Sequence, residues 1–325
     1  MVKAVSAEVS DAAQALASGD LIGLPTETVY GLAADAMNPL AVAAIFAAKG
    51  RPANHPLIVH VADASQVPKF ASTVPASAQK LMAAFWPGPL TVILPRLPGI
   101  ADAAAGAHAT IALRCPSHPM ALALLQEAQD LGVQGVAAPS ANLFGRVSPT
   151  TAAHVRQAFP SLLVLDGGAC EVGLESTIVD CSRATPMLLR PGMLLLSALS
   201  EACGEVVAMP SNAPHSSHDE APAAPGSLAS HYAPHARLRL LSAEAIRQQL
   251  PNAKVKVAVW ARFAVPSSAA FKQVQMPSNP AECAHDLFAC LRELDASGAQ
   301  EIWVEAPPVG PAWDGVRDRL QRAAH

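Results

Sequence analysis

Apolar residues fall into short runs, each closed by Pro, Gly or a charged residue, and the runs alternate between two periods. Residues 21–24 (LIGL) form a continuous apolar run stopped by Pro25, as a buried strand would. Asn38-Pro39 then opens a helix, with Asn as N-cap and Pro at the first helical position. Val42, Ile45, Phe46 and Lys49 follow at helical spacing, and Gly50 and Pro52 close the helix. Residues 56–61 (PLIVHV) read as a second strand. The stretch 21–61 is therefore strand, loop, helix, loop, strand, and its long crossover permits parallel pairing. A short helix at 11–19, stopped by Gly19, precedes it.

The same rules carry the rest of the chain. A helix at 77–85 is broken by Trp86-Pro87-Gly88-Pro89, and strands follow at 90–94 and 110–113, the second ending at Arg114. Ser117, ahead of His118-Pro119, caps a helix that runs to Asp130. A strand at 133–138 runs into Pro139-Ser140-Ala141-Asn142, and Ser148-Pro149 starts another helix. Strands at 162–165, 176–180 and 187–189 complete the pattern. Several strands follow one another too closely for crossovers, so a mixed sheet fits better than an all-parallel one. From 210 to 228 the periodicity gives way to Ser, Ala, Pro, His and acidic residues, as in a linker. A smaller pattern follows: strand 237–241, helix 242–250, strands 254–260 and 271–276. Asn279-Pro280 caps a helix with Cys283, Leu287, Cys290, Leu291 and Leu294 on one face, and Gly298 stops it. A strand at 302–304 and a C-terminal helix end the chain. The fold class is α/β: a twisted, mixed parallel/antiparallel open sheet with helices, plus a smaller Rossmann-like α/β domain. The expected divisions are 1–209, a linker at 210–234, and 235–325.

Composition narrows the function. The chain has 325 residues, 51% of them apolar and 15% charged, enough to bury a substantial core. A net charge of −4 argues against a general nucleic-acid coat protein. No run of about eighteen apolar residues and no signal-like N-terminus occurs, so neither a membrane span nor secretion is expected. The six Cys show no Cys-x-x-Cys pair and no zinc spacing, and read as reduced core residues of a cytoplasmic protein.

Candidate chemistry sits in the loops. Lys49 and Arg51 bracket Gly50, a pairing that suits a polyphosphate and equally suits a helix C-terminus. Ser140 and Asn142 follow a strand, where ligands of α/β sheets bind, yet a plain Ser or Asx turn gives the same pattern. Arg114 and Arg190 end apolar strands and need an anionic partner, from a ligand or from the protein. Hydroxyls at 176 and 177 could hold an amino acid. His55 and His60 form no His-Glu-x-x-His motif, so a zinc enzyme is not expected. No P-loop and no Gly-x-Gly-x-x-Gly occurs, and Ser140 lacks a nucleophile elbow.

Taken in order, PTETVYGL, KGRP, NHPLIVHV, WPGPLTVIL, ALRCPSHP, APSANLFGRVSPT, LDGG, GLESTIVD and LRPG resemble the threonylcarbamoyl-AMP synthase family, with its YrdC-like catalytic domain. The likeness covers roughly residues 10–208, and APGSLASHYAP and DRLQRAA resemble the linker and C-terminal domain of the family's long form. It implies synthesis of threonylcarbamoyl-AMP and pyrophosphate from L-threonine, bicarbonate or CO2, and ATP. The product would serve N6-threonylcarbamoyladenosine formation at position 37 of ANN-decoding tRNAs, through a separate transferase complex. By motif, Thr28, His60, Arg114, the backbone at Ala138 and Ser176 would hold threonine. Arg51, His55, Thr110, Ser140, Ser148, Arg190, His231 and Tyr232 would hold ATP, the last two from a linker that crosses the cavity mouth. Lys49 and Arg51 would act on the phosphates, with Asn142 bracing the loop. The family position of His55 is expected to carry Asn. Mg²⁺ would accompany ATP without a protein cage, so no protein metal ligand is expected. Two other readings fit the class: a carbamoyl-adenylate-forming enzyme that uses carbamoyl phosphate, and an RNA-binding module. The absent zinc-finger spacing disfavours the first and the weakly acidic charge the second, although weak tRNA binding remains compatible.

Overall fold

A computed structural model describes residues 7–209, 231–266 and 271–324. The strands are β1 (Ile22–Leu24), β2 (Gly31–Asp35), β3 (Ile58–His60), β4 (Leu90–Pro95), β5 (Thr110–Arg114), β6 (Val136–Ala137), β7 (Leu163–Val164), β8 (Thr177–Asp180), β9 (Met187–Arg190), β10 (Arg237–Leu241), β11 (Val257–Ala261), β12 (Lys272–Gln275) and β13 (Glu301–Glu305). The helices are α1 (Ala7–Ala17), α2 (Pro39–Lys49), α3 (Ala76–Phe85), α4 (Pro119–Asp130), α5 (Ala152–Ala158), α6 (Leu196–Cys203), α7 (Ala243–Gln249), α8 (Pro280–Ala296) and α9 (Asp314–Ala323).

The strands form a nine-stranded mixed sheet, ordered β7-β1-β2-β6-β3-β5-β4-β8-β9, and a four-stranded sheet, β10-β13-β11-β12, with parallel pairing throughout. In the larger sheet β1 is antiparallel to β2, not the first arm of the crossover. The crossover is β2-α2-β3. Both strands run antiparallel to β6, which lies between them, so they are parallel to each other without pairing. Residues 31–35 (GLAAD) are poor in β-branched side chains, which hid β2 from a propensity reading.

Local chemistry explains most boundaries. Asn38 Oδ1 accepts from the Leu40 and Ala41 amides and starts α2, with Pro39 in the first turn. Asn279 does the same for α8. Two caps differ from expectation. His118, not Ser117, caps α4, its Nδ1 accepting from the Met120 amide. Helix α5 is capped by Thr151, not Ser148, because Ser148 turns its hydroxyl to Glu175. The strand expected at 133–138 pairs only at Val136–Ala137, and α6 was not anticipated. Of the expected linker, 210–230 lies outside the described residues, while 231–234 is described.

The larger sheet packs its core beneath α2, α3 and α6 and a second core beneath α1 and α4. A further cluster joins Val29, Val147 and Leu174 of the larger unit to Trp260, Leu287, Phe288 and Leu320 of the smaller one.

Candidate active site

The loops at one end of the larger sheet enclose a cavity of about 560 Å³, counting its open mouth. Gly31 makes this end compact. Its amide-linked neighbours pair with the 139–141 segment, Leu32 N donating to Pro139 O at 2.7 Å and Ala141 N to Tyr30 O at 2.8 Å. A Cβ at position 31 would stand 2.9 Å from the Ala138 Cβ, so only Gly lets these two loops close.

The loop between β1 and β2 supplies two threonines. Thr26 Oγ1 donates to Val29 O at 2.6 Å and accepts from the Thr28 and Val29 amides. Its proton is thereby engaged, so in the 2.9 Å contact between the two hydroxyls Thr28 is the donor. The Thr28 oxygen keeps its lone pairs for the cavity. His60, at the end of β3, is buried with Nδ1 unpartnered. Burial and the Arg114 charge lower its pKa to about 3, so the ring is neutral. Arg114, at the end of β5, lies 2.7 Å from Glu27 Oε1, and both are buried. This contact is off the hydrogen-bonding axis, leaving the facing atoms without an aligned partner. Ser176 Oγ contacts Thr91 Oγ1 at 2.7 Å and accepts from Arg190 Nη2 at 3.0 Å.

Arg51 and Arg190 form the other half. Arg51 donates to Pro56 O at 3.1 Å and stacks its guanidinium 5.9 Å from the Phe144 ring centre. Its Nε is buried without a partner, and burial, with Arg190 adding a like charge, lowers its pKa to about 10. His231 and Tyr232 cover this half. The His231 ring sits edge-on to Tyr232 at 4.1 Å and to Phe144 at 6.0 Å. Burial and the surrounding cations lower the His231 pKa to about 3. Tyr232 is held at φ 64° with its hydroxyl unpartnered, and burial raises its pKa to about 12. A non-Gly residue in this conformation, buried and with an orphan hydroxyl, is the strain expected where a site over-determines the backbone.

The cavity thus brings together Thr28, Arg51, His60, Arg114, Ala138, Ser140, Ser176, Arg190, His231 and Tyr232. Lys49, His55, Thr110 and Ser148 do not line it. The Lys49 ammonium donates to Ser140 O at 2.5 Å and Asn142 O at 2.6 Å, fixing the 140–142 turn from behind. Asn142 Nδ2 donates to Leu143 O and Arg146 O. His55 sets its ring edge-on to Phe144 at 5.6 Å, and Thr110 opens β5 at the end of that strand opposite Arg114. Sequence reasoning gave no individual role to Thr26, Glu27, Phe144, Glu175, Arg292 and Arg319. Four of them stand inside the quoted motifs PTETVYGL, APSANLFGRVSPT and GLESTIVD, and Arg319 stands in DRLQRAA. Nothing near Arg292 signalled its part.

Comparison with known proteins decides the family. Residues 14–192 match the Sua5/YciO/YrdC family, described as telomere recombination, and 196–325 match the threonylcarbamoyl-AMP synthase C-terminal domain. The threonylcarbamoyl-AMP synthase of Pyrococcus abyssi is 36% identical over 96% of this chain and 93% of its own length. The chain belongs to the threonylcarbamoyl-AMP synthase family. The Bacillus subtilis member is 36% identical over 98% of this chain and 93% of its own. Among solved structures, P. abyssi Sua5 complexed with L-threonine superposes with a TM-score of 0.89 at 34% identity, covering 97% of this chain and 94% of that one. Escherichia coli YciO, 22% identical with a TM-score of 0.51, shares the fold over 59% of this chain and 92% of its own. Within the family frame the mixed α/β sheet and the second, parallel-sheet unit are as expected.

Among the described residues no group of three or more His, Cys, Asp or Glu could hold an ion. The two carboxylates nearest the cavity, Glu27 and Glu175, are engaged by Arg114 and Arg319. No described helix is long and apolar enough to cross a membrane.

Proposed function

We propose that this chain makes threonylcarbamoyl-AMP and pyrophosphate from L-threonine, bicarbonate or CO2, and ATP. The observation that carries the reading is the division of one cavity into two halves. One offers a neutral imidazole, hydroxyls and Arg114. The other offers Arg51 and Arg190 under an aromatic cover. Thr28, His60, Arg114, Ala138 and Ser176 hold threonine, with Arg114 on its carboxylate. Arg51, Ser140, Arg190, His231 and Tyr232 hold ATP. His55, Thr110 and Ser148 support that half from outside the cavity wall, and Lys49 shapes the turn that carries Ser140. We propose the divisions 1–209, 210–234 and 235–325, with His231 and Tyr232 contributed by the described end of the middle piece.

The threonine amine first joins CO2 as a carbamate and loses a proton. A carbamate oxygen then attacks the α-phosphorus of ATP, the bond to the β-phosphate oxygen breaks, and pyrophosphate leaves. No protein nucleophile is required. The residues align two anions and neutralise charge that develops during transfer. A neutral His60 suits this task, since it can meet the threonine side without adding a proton to the amine. Mg²⁺ accompanying ATP would offset the phosphate charge and would be held mainly by the phosphates and water. The product passes to a transferase complex acting on tRNA, and the six buried, free cysteines fit a reducing, cytoplasmic setting.

Pyrophosphate release with ATP, threonine and bicarbonate, omitting each in turn, tests the reading. All three are expected to be required. Undiminished release without threonine would defeat it.

A further inference from the structure

One arginine of the four-stranded unit, Arg319, holds a wall residue of this cavity, and a second, Arg292, holds the neighbouring 147–148 segment. Arg319, on α9, is fully buried. Its Nε donates to Glu175 Oε2 at 2.9 Å, its Nη1 to Pro191 O at 2.8 Å and to Asp318 Oδ2 at 2.7 Å, and its Nη2 to Glu175 O at 3.3 Å. Helix α9 comes this close because two glycines meet there. A Cβ on Gly315 would lie 2.7 Å from Gly192 O. Arg292, on α8, donates through Nε to Ser148 O at 3.1 Å and through Nη2 to Val147 O at 2.5 Å. Ser148 is therefore held twice: its carbonyl by Arg292, and its hydroxyl by Glu175 Oε1 at 2.5 Å, which Arg319 holds in turn.

Glu175 lines the cavity. A carboxylate in that wall opposes an incoming triphosphate unless a cation cancels it, and the opposition is strong away from water. Arg319 is the cation in ion-pair contact with Glu175 among the described residues. The same guanidinium ties Glu175 to Pro191, so it sets the two chain segments that lead into Ser176 and out of Arg190.

We propose that Arg319, assisted by Arg292, is a positioning residue for the nucleotide half of the site: it neutralises Glu175 and fixes the wall against which ATP is bound. The four-stranded unit thereby completes the site rather than merely adjoining it. The inference rests on the function proposed above. The threonine half has contacts of its own besides, Ser176 with Thr91 and Arg114 with Glu27, so it is expected to respond less than the nucleotide half.

Steady-state pyrophosphate release by the full chain is the test. Absence of threonine-dependent turnover in the unaltered protein would remove the functional reading itself. With that turnover present, Arg319→Met should raise KM for ATP about tenfold or more and leave KM for threonine within about threefold. Adding Glu175→Gln to Arg319→Met should bring KM for ATP most of the way back, because the opposing charge is gone. A loss of packing alone would not respond in that way. If Arg319→Met does not fold, Arg319→Lys and Arg292→Met take its place, with an expected rise in KM for ATP of about threefold to tenfold and unchanged KM for threonine. Equal rises for both substrates, an unchanged KM for ATP in folded variants, or no recovery in the double variant would each overturn the inference.

Discussion

Lys49 illustrates how a side chain with the composition of a phosphate ligand can work as a brace. Its ammonium is buried, and burial lowers its pKa, with Arg51 adding a like charge. It donates to two main-chain oxygens of the turn that carries Ser140. Removing it strands one buried and one half-buried acceptor, at about 1–3 kcal/mol for the buried one. Lys49→Met should therefore melt several degrees below the unaltered protein as well as turn over slowly. Arg51→Met should lower turnover by about 100-fold or more with a smaller drop in melting temperature. Thermal melts beside initial rates check this, and a larger melting drop for the Arg51 variant would reverse the two assignments. The buried histidines give a second expectation. His60 and His231 have pKa values lowered to about 3 and His154 to about 4, chiefly by burial, against 6.5 in the unfolded chain. Between these limits the unfolded chain binds protons that the folded one does not. Stability is therefore full above pH 6.5 and is lost as pH falls toward the folded values. Carboxylates titrate lower, so the upper part of this window isolates the histidines. Tm should be level from about pH 8 to 7 and fall from about pH 6.5 to 5. Replacing His231 by Asn should flatten that fall, and an equal slope in the variant would assign the effect elsewhere.

At the scale of elements, the sequence was legible wherever a cap or breaker acts through its immediate neighbours. Asn38 and Asn279 start helices because their side chains meet amides two and three residues on, and Pro39 and Pro280 fit the first turn. Elements defined by distant partners were less legible. β2 exists because its Ala- and Gly-rich backbone is clasped between β1 and β6. Ser148 fails to cap α5 because Glu175, 27 residues later, takes its hydroxyl. The site divides along the same line. Thr28, Arg51, His60, Arg114, Ser176 and Arg190 stand at strand ends or in adjoining loops, where position along the chain already suggests a ligand. The pairing of Glu27 with Arg114, and of Glu175 with Arg319, depends on contacts 87 and 144 residues apart, which no local period encodes.

For the whole molecule, a net charge of −4 says little about a cavity in which three buried guanidiniums converge. The relation between the two sheets says more. Val29, Val147 and Leu174 of the larger unit belong to one apolar cluster with Tyr232 of the linker and Trp260, Phe288 and Leu320 of the smaller unit. The buried Arg319–Glu175 pair crosses the same boundary. Separating the units would expose this cluster to water and break that pair. Neither sheet is therefore expected to melt while the other stays folded. Scanning calorimetry should give one transition, with van't Hoff and calorimetric enthalpies in agreement. Because the cavity-wall residue Glu175 is held by Arg319 across that boundary, ATP and threonine together should move the whole transition upward rather than split it. Two resolved transitions, with only the first responding to ligand, would mean that the units are coupled by contact but not by stability.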